Sequence, residues 1–476
     1  MTSTELGARA ARSGVVVAGG RVVQGVVSLA SVAILARLLT PSDFGVLAMV
    51  LPVALIVDMT INAGLHVAVM HEARLSASQV SRLFWIGQRF NALILVAMAL
   101  SAPLLARFYG EPRVTAVALI WTLALAFHGL GAFPESLLKR HIQFGRLTLI
   151  EVGAMIVGVA VAITAAMLGY RNVALVLQVV TWSGLRCIGA FVAAKWLPDR
   201  PIRSPMPDPE VDRLVRYGAS FGGSRAVYWL GRQADRMVVG YVSGAATLGL
   251  YDSARRWSWY PFQELFLSLT DVAVASLSRA RHDAERFRDY CRRGFAAFLA
   301  LPMPAIAFVG VEAELVVRVL LGERWLAAVP MVRIMCAAAF VDSIGRLTAW
   351  LYAAEGNTKQ QLRWSVVSTV VTLGAVLAAA RKGTVGVTWA FAGATVLLAA
   401  PGVLYCLRTS VLTVQDFVVA VRRPTVATIV AVAAWLLLRD RLPMFDAAPG
   451  RLLAAAFVFG CMYALAWGFG YWRARR

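Results

Sequence analysis

The residues best able to do chemistry lie in one stretch, Tyr217 to Ser253, which reads YGASFGGSRAVYWLGRQADRMVVGYVSGAATLGLYDS. It opens as an apolar, glycine-rich helix long enough to cross a bilayer, yet it carries Arg225, Arg232, Asp235 and Arg236. Charge at membrane depth is costly, so it usually faces a bundle interior and marks a substrate or ion path. At about 100° per residue, Arg232 and Arg236 project within about 20° of Arg225 and share its helix face. A guanidinium is planar, offers several donors and keeps its charge when partly desolvated, which suits a phosphate or diphosphate ligand. Arg255 and Arg256 follow in the next apolar run, and Arg21 stands in the first one. These six arginines are the candidate anion ligands. The competing reading pairs some of them with Asp235, Glu264 or Asp271, or lets Arg255 and Arg256 snorkel to an interface.

Carboxylates inside apolar runs are the second chemical signal. Asp58 and Asn62, spaced i, i+4, are candidates for a proton or sodium ion that drives transport, as are Asp235 and Asp342. Asp342 also stands i, i+4 from Arg346, so a satisfied helix-surface pair is the stronger reading there. Glu151 and Asp271 fall near span ends, where solvated caps are the default. The five cysteines and five histidines show no metal-ligand spacing, and no cofactor is expected. There is no phosphate-binding glycine loop and no pair of surface carboxylates suited to glycosyl transfer, so an enzyme is not expected.

The elements that position these residues follow from composition. Of 476 residues 59% are hydrophobic and only 15% charged, against about a quarter charged in soluble chains. Apolar runs fill the chain, and only self-satisfied helices make such spans. The fold class is therefore all-α: a polytopic membrane protein with about fourteen transmembrane helices. The expected spans are 14–38, 44–65, 83–106, 114–136, 147–169, 172–194, 217–242, 248–275, 294–311, 328–354, 364–380, 385–407, 424–438 and 450–472. With both termini cytoplasmic, 26 basic residues flank the inner ends, 11 flank the outer ends and ten, all arginine, lie within spans. This bias fixes the orientation and accounts for the net charge of +21 without nucleic acid. The segment 276–293 reads as an amphipathic surface helix.

A proline-rich connector, 196–213, divides the chain. The expected domains are an N-terminal lobe at 1–195, a C-terminal lobe at 214–407 and two additional spans within 408–476. Shifting the chain by 204 residues lays Gly14–Val46 on Gly218–Leu250 without a gap, with six of 33 positions identical. Gly19/Gly223, Arg21/Arg225 and Gly45/Gly249 are among the matches. Both copies start on the same side, so the repeat is parallel with a pseudo-two-fold along the membrane normal.

These residues resemble a family. LARLLTPSDFGVLAM (Leu35 to Met49), FYGEPRV (Phe108 to Val114), LLKRHIQFGRLTLIEV (Leu137 to Val152), LGERWLAAVPMVRIM (Leu321 to Met335) and YAAEGNTKQQLRW (Tyr352 to Trp364) look like Wzx-type oligosaccharide flippases. Those belong to the multidrug/oligosaccharidyl-lipid/polysaccharide exporter superfamily, and the colanic-acid/exopolysaccharide branch fits best. The resemblance implies two pseudo-symmetric six-helix lobes around a cavity, two extra C-terminal helices and alternating access. It implies an undecaprenyl-diphosphate-linked oligosaccharide moved from the cytoplasmic to the periplasmic leaflet of a bacterial inner membrane, for exopolysaccharide or O-antigen assembly. Implied partners are that polyprenyl-diphosphate-linked glycan, membrane lipids, a polysaccharide polymerase and a chain-length regulator. Two alternatives share the superfamily: a lipid II flippase, and a cation-coupled drug antiporter, whose cavity would be acidic rather than arginine-rich.

Overall fold

The apolar runs become helices, some of whose ends are set by local cap chemistry, and the computed structural model shows where those ends fall. It describes residues 3–61, 65, 69, 76–141, 143–199, 209–439 and 448–475, with side chains at 16, 19–21, 23–61, 65, 69, 76–141, 143–199, 233–263, 265–270, 272–439 and 448–468. By contact density the chain divides into two units, residues 1–249 and 250–476.

In the first unit, α1 (Ser3–Leu38) gives way to α2 (Pro41–Ile61) over two residues. Thr40 caps the new helix: its N and Oγ1 donate to Asp43 Oδ2 at 2.9 and 2.8 Å. Pro41 then occupies the first helical position, where its missing N–H is not needed. A capping box of Ser76 and Gln79 opens α3 (Ala77–Tyr109), which stops at Gly110 with φ 65°. Next come α4 (Arg113–Arg140), α5 (Phe144–Met167) and α6 (Arg171–Ala194). Phe84, Phe133, Val69 and Leu83 form one apolar core, and Trp85, Phe191 and Trp196 pack against it. The start of the proline-rich connector is tied to this core, since Trp85 Nε1 donates to Asp199 O at 2.7 Å. Residues 200–208 of that connector lie outside the described residues.

The helix α7 (Pro209–Ala280) is broken at Gly244, with φ 74° and ψ 178°. Its two halves, 209–243 and 245–280, correspond to the seventh and eighth expected spans. The break falls 204 residues after Thr40, the offset of the internal repeat. Contacts inside the first unit follow the same offset. A Cβ on Gly45 would overlap the carbonyl oxygen of Ala245, and a Cβ on Gly249 would overlap that of Pro41. Pro41 is to Gly45 what Ala245 is to Gly249, so the contact is reciprocal. Glycine is required at both positions because the clashing atoms are backbone and have no rotamer to escape to.

The second unit continues with α8 (Ala284–Leu299), α9 (Pro302–Val311), α10 (Ala313–Leu320), α11 (Val329–Gly345) and α12 (Thr348–Glu355). After these come α13 (Thr358–Ala379), α14 (Gly383–Leu407), α15 (Val414–Leu438) and α16 (Ala448–Arg475). The amphipathic helix expected at 276–293 is α8, because Asp283 accepts from the N–H groups of Glu285 and Arg286 and so resets the helix start. Phe287, Cys291 and Phe295 turn inward from it. The thirteenth span, expected at 424–438, begins ten residues earlier. Its internal Arg423 is absorbed by α16, lying 4.5 Å over the Trp467 ring and donating to Trp467 O at 3.1 Å.

Among the described residues eleven stretches are long and apolar enough to cross a membrane. One of these, Thr358–Leu407, turns back at Gly383 (φ 73°) and holds two helices. The charge-rich α7 supplies two more, so the fourteen expected spans are all accommodated by helices.

A polar clamp fixes the connection after α3. Arg113 donates to Glu111 at 2.9 Å through Nε and to Ser42 Oγ at 2.7 Å, and lies 3.6 Å from Asp43. The hydrogen bond from Arg113 holds the Glu111 carboxyl below its usual range. A depressed folded-state pKa stabilises above the unfolded value and is lost as pH falls through the folded one. Hydrogen-exchange protection factors at 40–46 and 110–115 should therefore fall below about pH 4, and Glu111→Gln should reduce that dependence.

Candidate substrate and ion-coupling site

The first unit holds a polar cluster assembled from five helices. On α4, His128 and Glu135 stand seven residues apart, two turns along one face. On α6, Arg186 Nη2 donates to both oxygens of Glu135 at 2.9 Å and lies 3.4 Å from Glu151 on α5. Gln24 of α1 donates to the other oxygen of Glu151 at 3.2 Å. The Arg186 guanidinium sits 4.6 Å over the Trp182 ring, and its Nε is buried with no hydrogen-bond partner among the described residues. Two turns back along α4 from Glu135, His128 Nδ1 is 2.6 Å from Asp58 Oδ1 of α2.

Three carboxylates, Asp58, Glu135 and Glu151, thus face one arginine and one imidazole. Among these five side chains carboxyl groups outnumber arginine three to one. Burial makes such an imbalance matter, because charge inside a low-dielectric bundle is screened little. A histidine hydrogen-bonded to a carboxylate, as His128 is to Asp58 at 2.6 Å, is an arrangement that can exchange a proton.

Sequence reasoning singled out Asp58 here but not His128, Glu135 or Arg186. The i, i+7 spacing of His128 and Glu135 in an otherwise apolar helix is the signal that could have found them. Glu151, expected as a solvated cap, is instead bridged by Arg186 and Gln24. Asn62 lies outside the described residues.

The candidate anion ligands are spread along α1 and α7. Arg21 is exposed on α1, one turn before Gln24. Arg225 and Arg232 belong to the first half of α7, but their side chains lie outside the described residues. Arg236 is half-buried and donates to Gln233 Oε1, while Gln233 and Asp235 are buried. In the second unit Arg255 sits 5.0 Å over the Phe391 ring. Arg256 is exposed, 3.8 Å from Asp252 one turn back. Asp342 accepts from Arg346 Nε at 2.5 Å and from Trp259 Nε1 at 2.8 Å. It is held on two sides, so a bound cation would compete with these donors.

A bundle of this kind, with charged and polar side chains gathered between apolar helices and apolar surface outside, is a polytopic membrane protein. The family of proteins described as "Polysaccharide biosynthesis protein" matches residues 34–330, well over half of the chain, and the chain belongs to it. The chain is 21% identical over 368 residues to the lipopolysaccharide biosynthesis protein WzxC of Escherichia coli, covering 76% of this chain and 74% of that one. It is 23% identical over 353 residues to the succinoglycan biosynthesis transport protein ExoT of Rhizobium meliloti, covering 74% and 71%. Its fold is that of the lipid II flippase MurJ in an inward closed conformation, with a TM-score of 0.72 at 13% identity over 98% of this chain and 99% of that one. The protein is a transporter of the Wzx type and not an enzyme.

Proposed function

We propose that the protein flips an undecaprenyl-diphosphate-linked oligosaccharide from the cytoplasmic to the periplasmic leaflet of a bacterial inner membrane. The observation that carries this reading is membership of the polysaccharide biosynthesis family in a chain whose in-span cations are all arginine. Arg21, Arg225, Arg232 and Arg236 bind the diphosphate, with Arg255 and Arg256 further along the path. The lipid II reading is favoured by the fold alone, whereas both the family and the relatives point to polysaccharide assembly. The charge bias supports cytoplasmic termini. The connector at 196–213 separates an N-terminal lobe at 1–195 from a C-terminal lobe at 214–407, and 408–476 adds two spans.

The driving ion is a proton held between His128 and Asp58. Its arrival alters the charge balance around Arg186 and Glu151, and Gln24 passes the change to α1, which also carries Arg21. The other candidates, Asp235 and Asp342, are secondary to this pair. A polysaccharide polymerase and a chain-length regulator take over the flipped glycan.

The test is a deletion strain scored for lipid-linked glycan accumulating on the cytoplasmic leaflet. Wild type should clear the accumulation, and no clearance would sink the reading. In vesicles given an imposed pH gradient, His128→Ala and Asp58→Asn should each flip no faster than wild type without a gradient. A full gradient response in both variants would remove the proton site.

A further inference from the structure

The second unit contains a cavity that the transport reading does not use. It has a volume of about 320 Å³ and lies where α9, α10, α11, α15 and α16 come together at one end of the bundle. Four arginines line it, Arg318, Arg333, Arg439 and Arg451, with Glu312 and Glu314.

Its position along the membrane normal follows from two parallel strips of contact. At one end of the α8–α9 pair Arg292 pairs with Asp416, at the start of α15. At the other end Glu312 accepts from Trp435 Nε1 at 2.9 Å and lies 4.0 Å from Arg439, at the end of α15. The cavity is therefore one full span away from the Arg292–Asp416 pair. With both termini cytoplasmic, that is the periplasmic face.

Its charge is unbalanced in a way that leaves two cations available. Arg318 is engaged by Glu314 at 3.1 Å and by Glu323 at 3.3 Å, and Arg439 by Glu312. Among the described residues neither Arg333 nor Arg451 has a carboxylate within ion-pair distance. Both are exposed at the cavity, on different helices. Two guanidiniums converging from separate helices make a fork suited to phosphate oxygens. The surroundings are apolar: Leu437, Leu453 and Phe457, on α15 and α16 beside the cavity, are each more than 70% exposed. Cationic recess next to apolar helix surface is the arrangement that takes a charged head group while its chains lie along the helices.

We propose that this cavity binds the phosphate of an anionic lipid, with Arg333 and Arg451 as its ligands and Arg318 and Arg439 set in place by their carboxylates. The site is separate from the transport arginines, and only its assignment to the periplasmic face rests on the orientation proposed above.

The full chain, purified in detergent, is titrated with phosphatidylglycerol, with uncharged diacylglycerol of the same chains, and with glycerol phosphate. Retention is read by native mass spectrometry and unfolding temperature by a thermal shift. Wild type should retain phosphatidylglycerol and gain stability from it, and the other two should do neither. Arg333→Gln and Arg451→Gln should each weaken retention on the order of tenfold, with the lysine variants in between. Equal retention by wild type and the double glutamine variant would overturn the proposal. So would glycerol phosphate binding as tightly as the lipid, which would make this an anion site only. A double variant that loses stability without lipid and keeps its retention would place the partners of these arginines within the chain, including residues 440–447, and would also overturn it.

Discussion

Arg186→Met should be among the most damaging single substitutions in the first unit, with a loss of about 3–5 kcal/mol. The side chain is 11% exposed and bridges Glu135 and Glu151, so its removal strands two carboxylates in the bundle. Among the described residues their other hydrogen-bond partner is Gln24, which offers only a neutral amide, and His128 is hydrogen-bonded to Asp58. Glu135→Ala should cost a similar amount for the mirror reason, because Arg186 would keep only its 3.4 Å contact with Glu151. The double change Arg186→Met with Glu135→Gln should recover part of the loss, since it removes one of the two uncompensated charges and leaves Glu151 with Gln24 alone. Unfolding temperature in detergent, together with expression level, reads all three. A double variant no better than the singles would mean that packing, not charge, holds this cluster.

Gly45→Val and Gly249→Val should each abolish function, and to the same degree. Each new side chain would run into a backbone carbonyl, that of Ala245 or that of Pro41. Overpacking of this sort costs about 1–3 kcal/mol or more when neighbours cannot move, and a backbone oxygen can move only with its helix. Equal phenotypes follow from the reciprocity of the contact. Gly153→Ala and Gly393→Ala are the controls, since an added Cβ at either meets open space. They should be silent or mildly stabilising, as expected of alanine in a helix. Complementation of a deletion strain distinguishes the cases. Unequal effects at Gly45 and Gly249 would argue that the crossing is not symmetric about the repeat.

The helical framework was legible because its signals are long and redundant: twenty-residue apolar runs, loop arginines on alternating sides, and cap residues such as Thr40 and Ser76. The repeat was legible for the same reason, and the offset of 204 that aligns Gly45 with Gly249 is the offset at which the two glycines meet. Element ends were less legible where one side chain decides them. Asp283 restarts a helix that periodicity runs through, and Arg423 is tolerated inside a span because Trp467 covers it. The Arg186 cluster was least legible. Its six members are spread over five helices, only His128 and Glu135 sharing one, and apart from that i, i+7 spacing their meaning appears only when packing brings them within 4 Å. The stripe on α7 is the opposite case, since its spacing on one helix is visible without any partner.

The central claim is that this stripe and its repeat partner hold a lipid diphosphate during transport. It is tested most directly with the full chain reconstituted into vesicles carrying a fluorescent undecaprenyl-diphosphate-linked oligosaccharide, with leaflet exchange followed by quenching. Wild type should move the lipid, and the triple variant Arg21→Ala, Arg225→Ala, Arg232→Ala should be slower by about a hundredfold while folding normally, given the strength of charge-assisted hydrogen bonds to phosphate. A triple variant that flips the lipid at the wild-type rate would contradict the account.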